Sequence, residues 1–199
     1  MQLRQCGDDA VLVEVGSLGE VESVRAAVAG LPDVVELVPA ARTVLVVTRP
    51  GRLRAVREVL TTADLVHHAV AAGDEVVIGV HYDGPDLDLV AETAGLTAAE
   101  VVALHTGADY RVAFCGFAPG FAYLTGLPEP LRQPRLDSPR TKVPAGSVGV
   151  AGEFTAAYPR ATPGGWRLIG RTDAPLFDPR RPTPALLTPG DRVRFEALR

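Results

Sequence analysis

One histidine, four cationic side chains and a group of aromatics are the residues of this chain best suited to chemistry. His105 falls in EVVALHTG, in the last turn of a helix, where the helix C-terminus favours the protonated imidazole; it is the candidate acid/base group. Arg135, Arg140 and Lys142 follow within PRLDSPRTK, and Arg171 lies in IGRT. Forked guanidinium groups and a compact ammonium suit a carboxylate or phosphate, so these four are candidate contacts for a small anionic ligand. Of the 20 Lys and Arg residues Lys142 is the only lysine, which points to a place where a point charge is wanted. Phe121 and Trp166, with Phe117 and Tyr158, can wall a pocket or a partner surface. A plainer use stands beside each reading: arginines that anchor loops to carbonyls or to Asp137 and Asp173, aromatics that fill a core, and a histidine that caps or packs.

The familiar catalytic signatures are missing from the sequence. It contains no GxxxxGK[ST] phosphate loop, no GxGxxG after a strand, no HExxH and no GxSxG. His67 and His68 are adjacent and read as a surface pair, because neighbouring side chains rarely converge on one metal. His81, at a strand end, reads as structural. Cys6 and Cys115 are too few and too far apart for a disulfide framework or a metal knuckle and read as free, buried thiols. No cofactor or metal is expected on this chain.

These residues must be positioned by turns. Of 17 prolines, 13 follow position 115, interleaved with Gly pairs and aromatics. Proline fixes φ and glycine admits φ > 0, so these segments read as backbone held in particular irregular shapes. Further back, Ala10–Val15 reads as a strand, Ser17-x-x-Glu20 as the start of a helix ending at Gly30-Leu31-Pro32, and Val34–Val38 and Thr43–Val47 as strands. A helix over Leu53, Val56, Val59 and Leu60 and a strand at Val76–His81 complete a β-α-β-β-α-β order, which predicts a ferredoxin-like α+β sandwich over residues 1–82. The turn Asp83-Gly84-Pro85-Asp86 marks the expected boundary. Two helices follow, the second capped by Thr97 and Glu100, and then short strands at Val112–Cys115, Ser147–Ala151, Trp166–Gly170 and Arg192–Phe195, which predict a compact β-barrel over 83–199.

Composition excludes whole classes of partner. A length of 199 residues with 47% hydrophobic and 22% charged residues supports a real core. A formal charge of −4 and the lack of a basic run argue against nucleic acid or an anionic membrane. No apolar stretch nears the roughly 20 residues that span a bilayer, and MQLRQCGDDA has no signal-peptide core, so the expected location is cytoplasmic.

Several segments together carry a resemblance. They are GF-x-PGF-x-YL at 116–124, PR-x-x-x-PR-x-x-VPAGSV at 134–148, Thr155 with Tyr158-Pro159, PGGW at 163–166 and IGRT at 169–172. Tyr82-x-GPDL, EV-x-x-LH, LFDP and PGD extend it over nearly the whole chain. By these the chain resembles the family variously labelled as the B-type subunit of 5-oxoprolinase, allophanate hydrolase subunit 1 or sporulation kinase inhibitor. The resemblance implies a cyclophilin-like C-terminal barrel and a protein that works with a larger C-type subunit, resembling allophanate hydrolase subunit 2, and with an A-type subunit. Such a complex opens 5-oxoproline to glutamate at the expense of ATP, which the complex uses and this chain alone does not bind. It also leaves two other functions open: a regulator that docks a histidine kinase, or a component of another amide- or urea-hydrolysing complex. The chain departs from the family where Phe154 stands in place of a Gln and Ala156 in place of a Gly.

Overall fold

The computed structural model describes residues 1–62 and 73–199, so His67 and His68 lie outside the described residues. The chain divides into two compact units, Met1–Ala71 and Ala72–Arg199.

In the N-terminal unit, valines alternate along the strands and recur at helical spacing, so one sheet face and two helix faces must meet. The strands are β1 (Gln2–Gln5), β2 (Ala10–Glu14), β3 (Val34–Pro39) and β4 (Thr43–Thr48), in the antiparallel order β1-β2-β4-β3. Helices α1 (Leu18–Val28) and α2 (Leu53–Thr62) supply Val21, Val24, Val28, Leu53, Val56 and Leu60 to a core shared with Val11, Val13, Val44 and Val46. The Ser17 hydroxyl accepts from the Glu20 N–H, as the spacing predicts, while the Glu20 carboxylate reaches the Gly16 N–H.

This is the strand order expected of a ferredoxin-like sandwich, with one correction. The edge position beside β2 is taken by Gln2–Gln5, a polar segment whose composition does not announce a strand. Glu75–Val80, read from the sequence as the last strand of that sandwich, belongs to the second unit, where it pairs parallel with the C-terminal strand. The division therefore falls before this strand and not after residue 82.

The C-terminal unit is the expected barrel, nearly closed. Its strands are β5 (Glu75–Val80), β6 (Tyr110–Cys115), β7 (Ala122–Thr125), β8 (Arg140–Val143), β9 (Ser147–Ala151), β10 (Phe154–Ala157), β11 (Thr162–Gly164), β12 (Arg167–Arg171) and β13 (Arg192–Ala197). Seven of them form one sheet in the order β12-β9-β10-β7-β6-β13-β5, and β8 with β11 forms a separate two-stranded antiparallel sheet. The two sheet edges meet at His81 and Arg171, which exchange backbone hydrogen bonds of 2.8 and 2.9 Å. Beyond that bridge the Gly84 N–H donates to Ile169 O and the Asp86 N–H to Leu168 O. Closure removes most of the unpaired edge that a sheet would otherwise expose.

Glycine is required at this seam. A Cβ on Gly84 would lie 2.4 Å from Gly170 N and Ile169 C, and one on Gly170 would lie 2.5 Å from His81 O. The GPD and IGR segments are thus two backbones crossing at a distance that excludes side chains. Period-two alternation then gives the sheet two buried faces. Val148, Val150 and Ile169 look into the barrel core with Leu124 and Phe195, while Ala151, Ala156, Leu168 and Phe121 face a second cluster under the β8–β11 pair. That double cover is why all five residues of β9 are buried.

Helices α3 (Leu87–Ala94) and α4 (Ala98–Thr106) complete this unit. Thr97 and Glu100 form a full reciprocal capping box at the start of α4.

Candidate functional site

The second cluster opens to solvent at a cleft. The loop from Gly116 to Phe121 builds its rim from two turns in succession. The Ala118 N–H donates to Gly116 O at 2.7 Å across Phe117, a γ-turn, and the Phe121 N–H donates to Ala118 O at 2.9 Å across Pro119 and Gly120. With Pro at its second position and Gly120 at φ 81° at its third, the latter is a type II turn. A Cβ on Gly120 would also meet the Phe177 Cβ at 2.7 Å.

Below that rim lies a cleft of ≈ 100 Å³, lined by Phe117, Phe121, Tyr123, Arg135, Tyr158, Gly164, Gly165 and Trp166. The rings meet edge to face: Phe121 is 5.1 Å from Tyr158, 5.0 Å from Tyr123 and 5.7 Å from Trp166. Gly164 is small because the Tyr158 hydroxyl lies 2.7 Å from where its Cβ would be. Burial, reinforced by Tyr123, pushes the Tyr158 phenol up to about 12, against the opposing pull of Arg135. Both phenols of the cleft, Tyr158 and Tyr123, are therefore neutral hydrogen-bonding groups near pH 7.

The expected site residues divide sharply. Phe121 and Trp166 are buried walls of the cleft, and Arg135 stands at its mouth, exposed, with no ion pair or hydrogen bond among the described residues. Lys142 is exposed on β8, in the two-stranded sheet that covers the second cluster, but not in the cleft lining. Arg140 is committed elsewhere. Its Nη2 donates to both Asp86 oxygens at 2.7 and 2.9 Å, and the same carboxylate accepts from the Leu168 N–H at 2.7 Å. Asp86 precedes α3 without capping it, so its charge serves the seam between Arg140 and β12. Arg171 pairs with Asp83 at 2.9 Å on the exposed surface.

His105 is placed in the core and not in a pocket. It is 0% exposed, packed against Phe195, Tyr110 and Tyr82 with ring centroids 4.5, 5.3 and 5.7 Å away. Thr155 donates its hydroxyl proton to Gly149 O at 3.1 Å, so its oxygen is free to accept from His105 Nε2 at 3.0 Å. That leaves Nδ1 as the acceptor for the Tyr82 hydroxyl at 2.7 Å. The chain Tyr82–His105–Thr155–Gly149 satisfies a neutral imidazole at both nitrogens, and burial pulls its pKa down to about 3. The helix-end argument for a protonated imidazole loses to desolvation. His105 thus carries no extra proton to hand to a ligand at neutral pH.

Sequence reasoning missed Asp86, Tyr82 and Thr155, because turn and strand residues gave no sign of partners 54, 23 and 50 residues away. Phe154, the departure from the family pattern, is half-buried and edge-on to Tyr123 and Phe114 at 5.7 Å, on the same sheet face as the cleft. Cys6 is exposed, against the expectation of a buried thiol; Cys115 is partly buried, and its thiol is pushed up by desolvation. Among the described residues no group of three or more His, Cys, Asp or Glu is placed to hold a metal, and no helix is long and apolar enough to cross a membrane.

A larger depression of ≈ 700 Å³ lies on the N-terminal unit against Leu53, Arg54, Arg57 and Glu58. Arg54 and Glu58 there are exposed and already paired at 3.2 Å, so size alone does not make it the better candidate. The aromatic cleft has the convergence of buried rings and an unpaired cation that a binding site needs.

Comparison with known proteins agrees in sequence and in fold. The chain is 41% identical over 210 residues to the 5-oxoprolinase B-type subunit of Escherichia coli O157:H7, covering 98% of this chain and 96% of that one. The crystal structure of TTHA0988 superposes with a TM-score of 0.81 at 36% identity, over 96% of this chain and 40% of that longer one. Kluyveromyces lactis urea carboxylase shares the fold, with a TM-score of 0.77 at 20% identity over 99% of this chain and 22% of its own. Residues 1–187 match the family described as carboxyltransferase domain, subdomain C and D, and with the near full-length relative this establishes that the chain belongs to that family.

Proposed function

We propose that this chain is the B-type subunit of a 5-oxoprolinase complex, which converts 5-oxoproline, ATP and water to glutamate, ADP and phosphate, and that its aromatic cleft is one part of a composite site. The observation that carries the reading is the 41% identity to a 5-oxoprolinase B-type subunit over nearly the full length of both chains. The cleft is consistent with it. At ≈ 100 Å³ it is well below the roughly 300–1,000 Å³ of ordinary ligand pockets, so it suits a fragment of a ligand and leaves the rest to a partner.

In this reading the unpaired Arg135 guanidinium receives the carboxylate of 5-oxoproline, Phe121 and Trp166 hold the flat ring, and Lys142 adds positive potential from β8. Arg140 and Arg171 hold the barrel seam, and His105 positions Tyr82 and Thr155. ATP is handled by an A-type subunit, and a C-type subunit supplies the opposing wall. The chain works in the cytoplasm and is inactive alone.

The test is ATP-dependent glutamate release from 5-oxoproline with purified A-, B- and C-type subunits, each omitted in turn. Loss of turnover when this chain is left out supports the reading. Full turnover without it would remove the chain from the enzyme and favour a regulatory role instead.

A further inference from the structure

Phe117 is the one non-glycine among the described residues with a positive φ, 67°. The Gly116–Ala118 hydrogen bond makes its turn the positive-φ form of the γ-turn, the rarer and strained form, and a bulky side chain is ill suited to that angle. The ring is nonetheless 59% exposed, so it does not recover the strain by burial. Its only ring neighbours among the described residues are Phe121 at 5.2 Å and Tyr158 at 6.3 Å, both walls of the cleft and both edge-on to it. A glycine here would make the same turn without strain. What the phenylalanine adds is an aromatic face at a cleft whose lining also includes the unpaired Arg135.

We propose that Phe117 is the recognition residue of this cleft: its ring, held upright by a strained turn, closes over the flat face of a planar amide ring whose carboxylate meets Arg135. Strain kept at an exposed residue beside a binding cleft is the usual mark of a position held for its ligand contact and not for the fold. The γ-turn and the following type II turn share the segment Gly116 to Phe121, closed by the Gly116 N–H to Phe121 O bond at 3.2 Å, so the ring projects from a short hydrogen-bonded arch whose backbone fixes the direction of its Cα–Cβ bond. This rests on the reading of the cleft as the 5-oxoproline-binding part of the complex.

The experiment compares wild type with Phe117→Gly, Phe117→Ala and Phe117→Tyr, measuring Tm on the full chain and KM and kcat for 5-oxoproline in the three-subunit complex. Relief of the backbone strain raises the Tm of Phe117→Gly by about 3 °C, while its KM rises at least tenfold with kcat within about threefold. Phe117→Ala gives the same KM without the gain in Tm, and Phe117→Tyr restores the wild-type KM. An unchanged KM in Phe117→Gly overturns the proposal and leaves the proposed place in the complex intact, as does a fall in its Tm, which would make the ring a packing residue. A wild-type complex that does not turn over 5-oxoproline overturns both.

Discussion

Replacing His105 by Leu tests the buried relay through its pH dependence. At pH 7 the variant loses two hydrogen bonds, from Tyr82 at 2.7 Å and to Thr155 at 3.0 Å, each contributing about 1 kcal/mol net, so it should be about 2 kcal/mol less stable than wild type. The gap should then close as the pH falls. In the folded chain His105 stays neutral down to about 3, whereas in the unfolded chain it titrates near its ordinary value of 6.5. Between those limits only the unfolded form takes up the proton, so stability is at its full value above pH 6.5 and is lost as the pH drops toward 3, at up to about 1.4 kcal/mol per pH unit. From pH 7 to pH 5 that loss comes to about 2 kcal/mol, and a leucine does not share it. Wild type and variant should therefore be nearly equal at pH 5. Urea unfolding at pH 7, 6 and 5 measures this, followed by the emission of Trp166, the chain's one tryptophan, which lies in the same unit as His105. A gap of the same size at all three pH values would refute the reasoning, because it would mean that His105 protonates in the folded chain as easily as in the unfolded one.

Further predictions separate the roles of the cations and the glycines. Arg140→Ala strands the Asp86 carboxylate, whose side chain is 8% exposed, and should cost about 2 kcal/mol in urea unfolding. Arg171→Ala breaks a pair in which both side chains are about half exposed, and should cost under about 1 kcal/mol. Arg135→Ala should leave stability unchanged and raise KM for 5-oxoproline at least tenfold in the assembled complex, and a loss of stability instead would show that Arg135 is a scaffold residue. Gly84→Ala drives a Cβ into the backbone of Ile169 and Gly170 and should lower Tm by roughly 10 °C; a wild-type Tm would disprove the account of barrel closure.

How much of the candidate site could be read in advance follows from distance along the chain. Phe121 and Trp166 were identifiable because a Pro-Gly turn and a Gly-Gly pair beside aromatics announce a shaped loop. Arg135 and Arg140 were not separable, since both sit in one proline-rich segment and nothing local distinguishes them. What divides them is Asp86, which reaches Arg140 from 54 residues away and leaves Arg135 free. His105 was placed correctly on its helix and wrongly in its environment: periodicity gives the face of a helix, but not whether that face meets solvent or Phe195 and Thr155. The strain at Phe117 had no sequence signal, because a positive φ at a phenylalanine contradicts its own preference.

The fold divides in the same way. Features spanning four residues or fewer were determined by the sequence alone: the Ser17–Glu20 and Thr97–Glu100 caps and the Pro119-Gly120 turn, where side chain and backbone meet whatever the rest of the chain does. The α1 and α2 faces follow too, since helical spacing alone puts the valines on one side. Tertiary structure decided the partners of strands and charges. The apolar run Glu75–Val80 fits the edge of either sheet equally well by composition, and it lies against Arg192–Ala197 because that pairing helps close a barrel, while the more polar Gln2–Gln5 takes the edge it left. The free energy of strand pairing and ion pairing depends on what lies opposite, and what lies opposite is set by the folding of the whole chain.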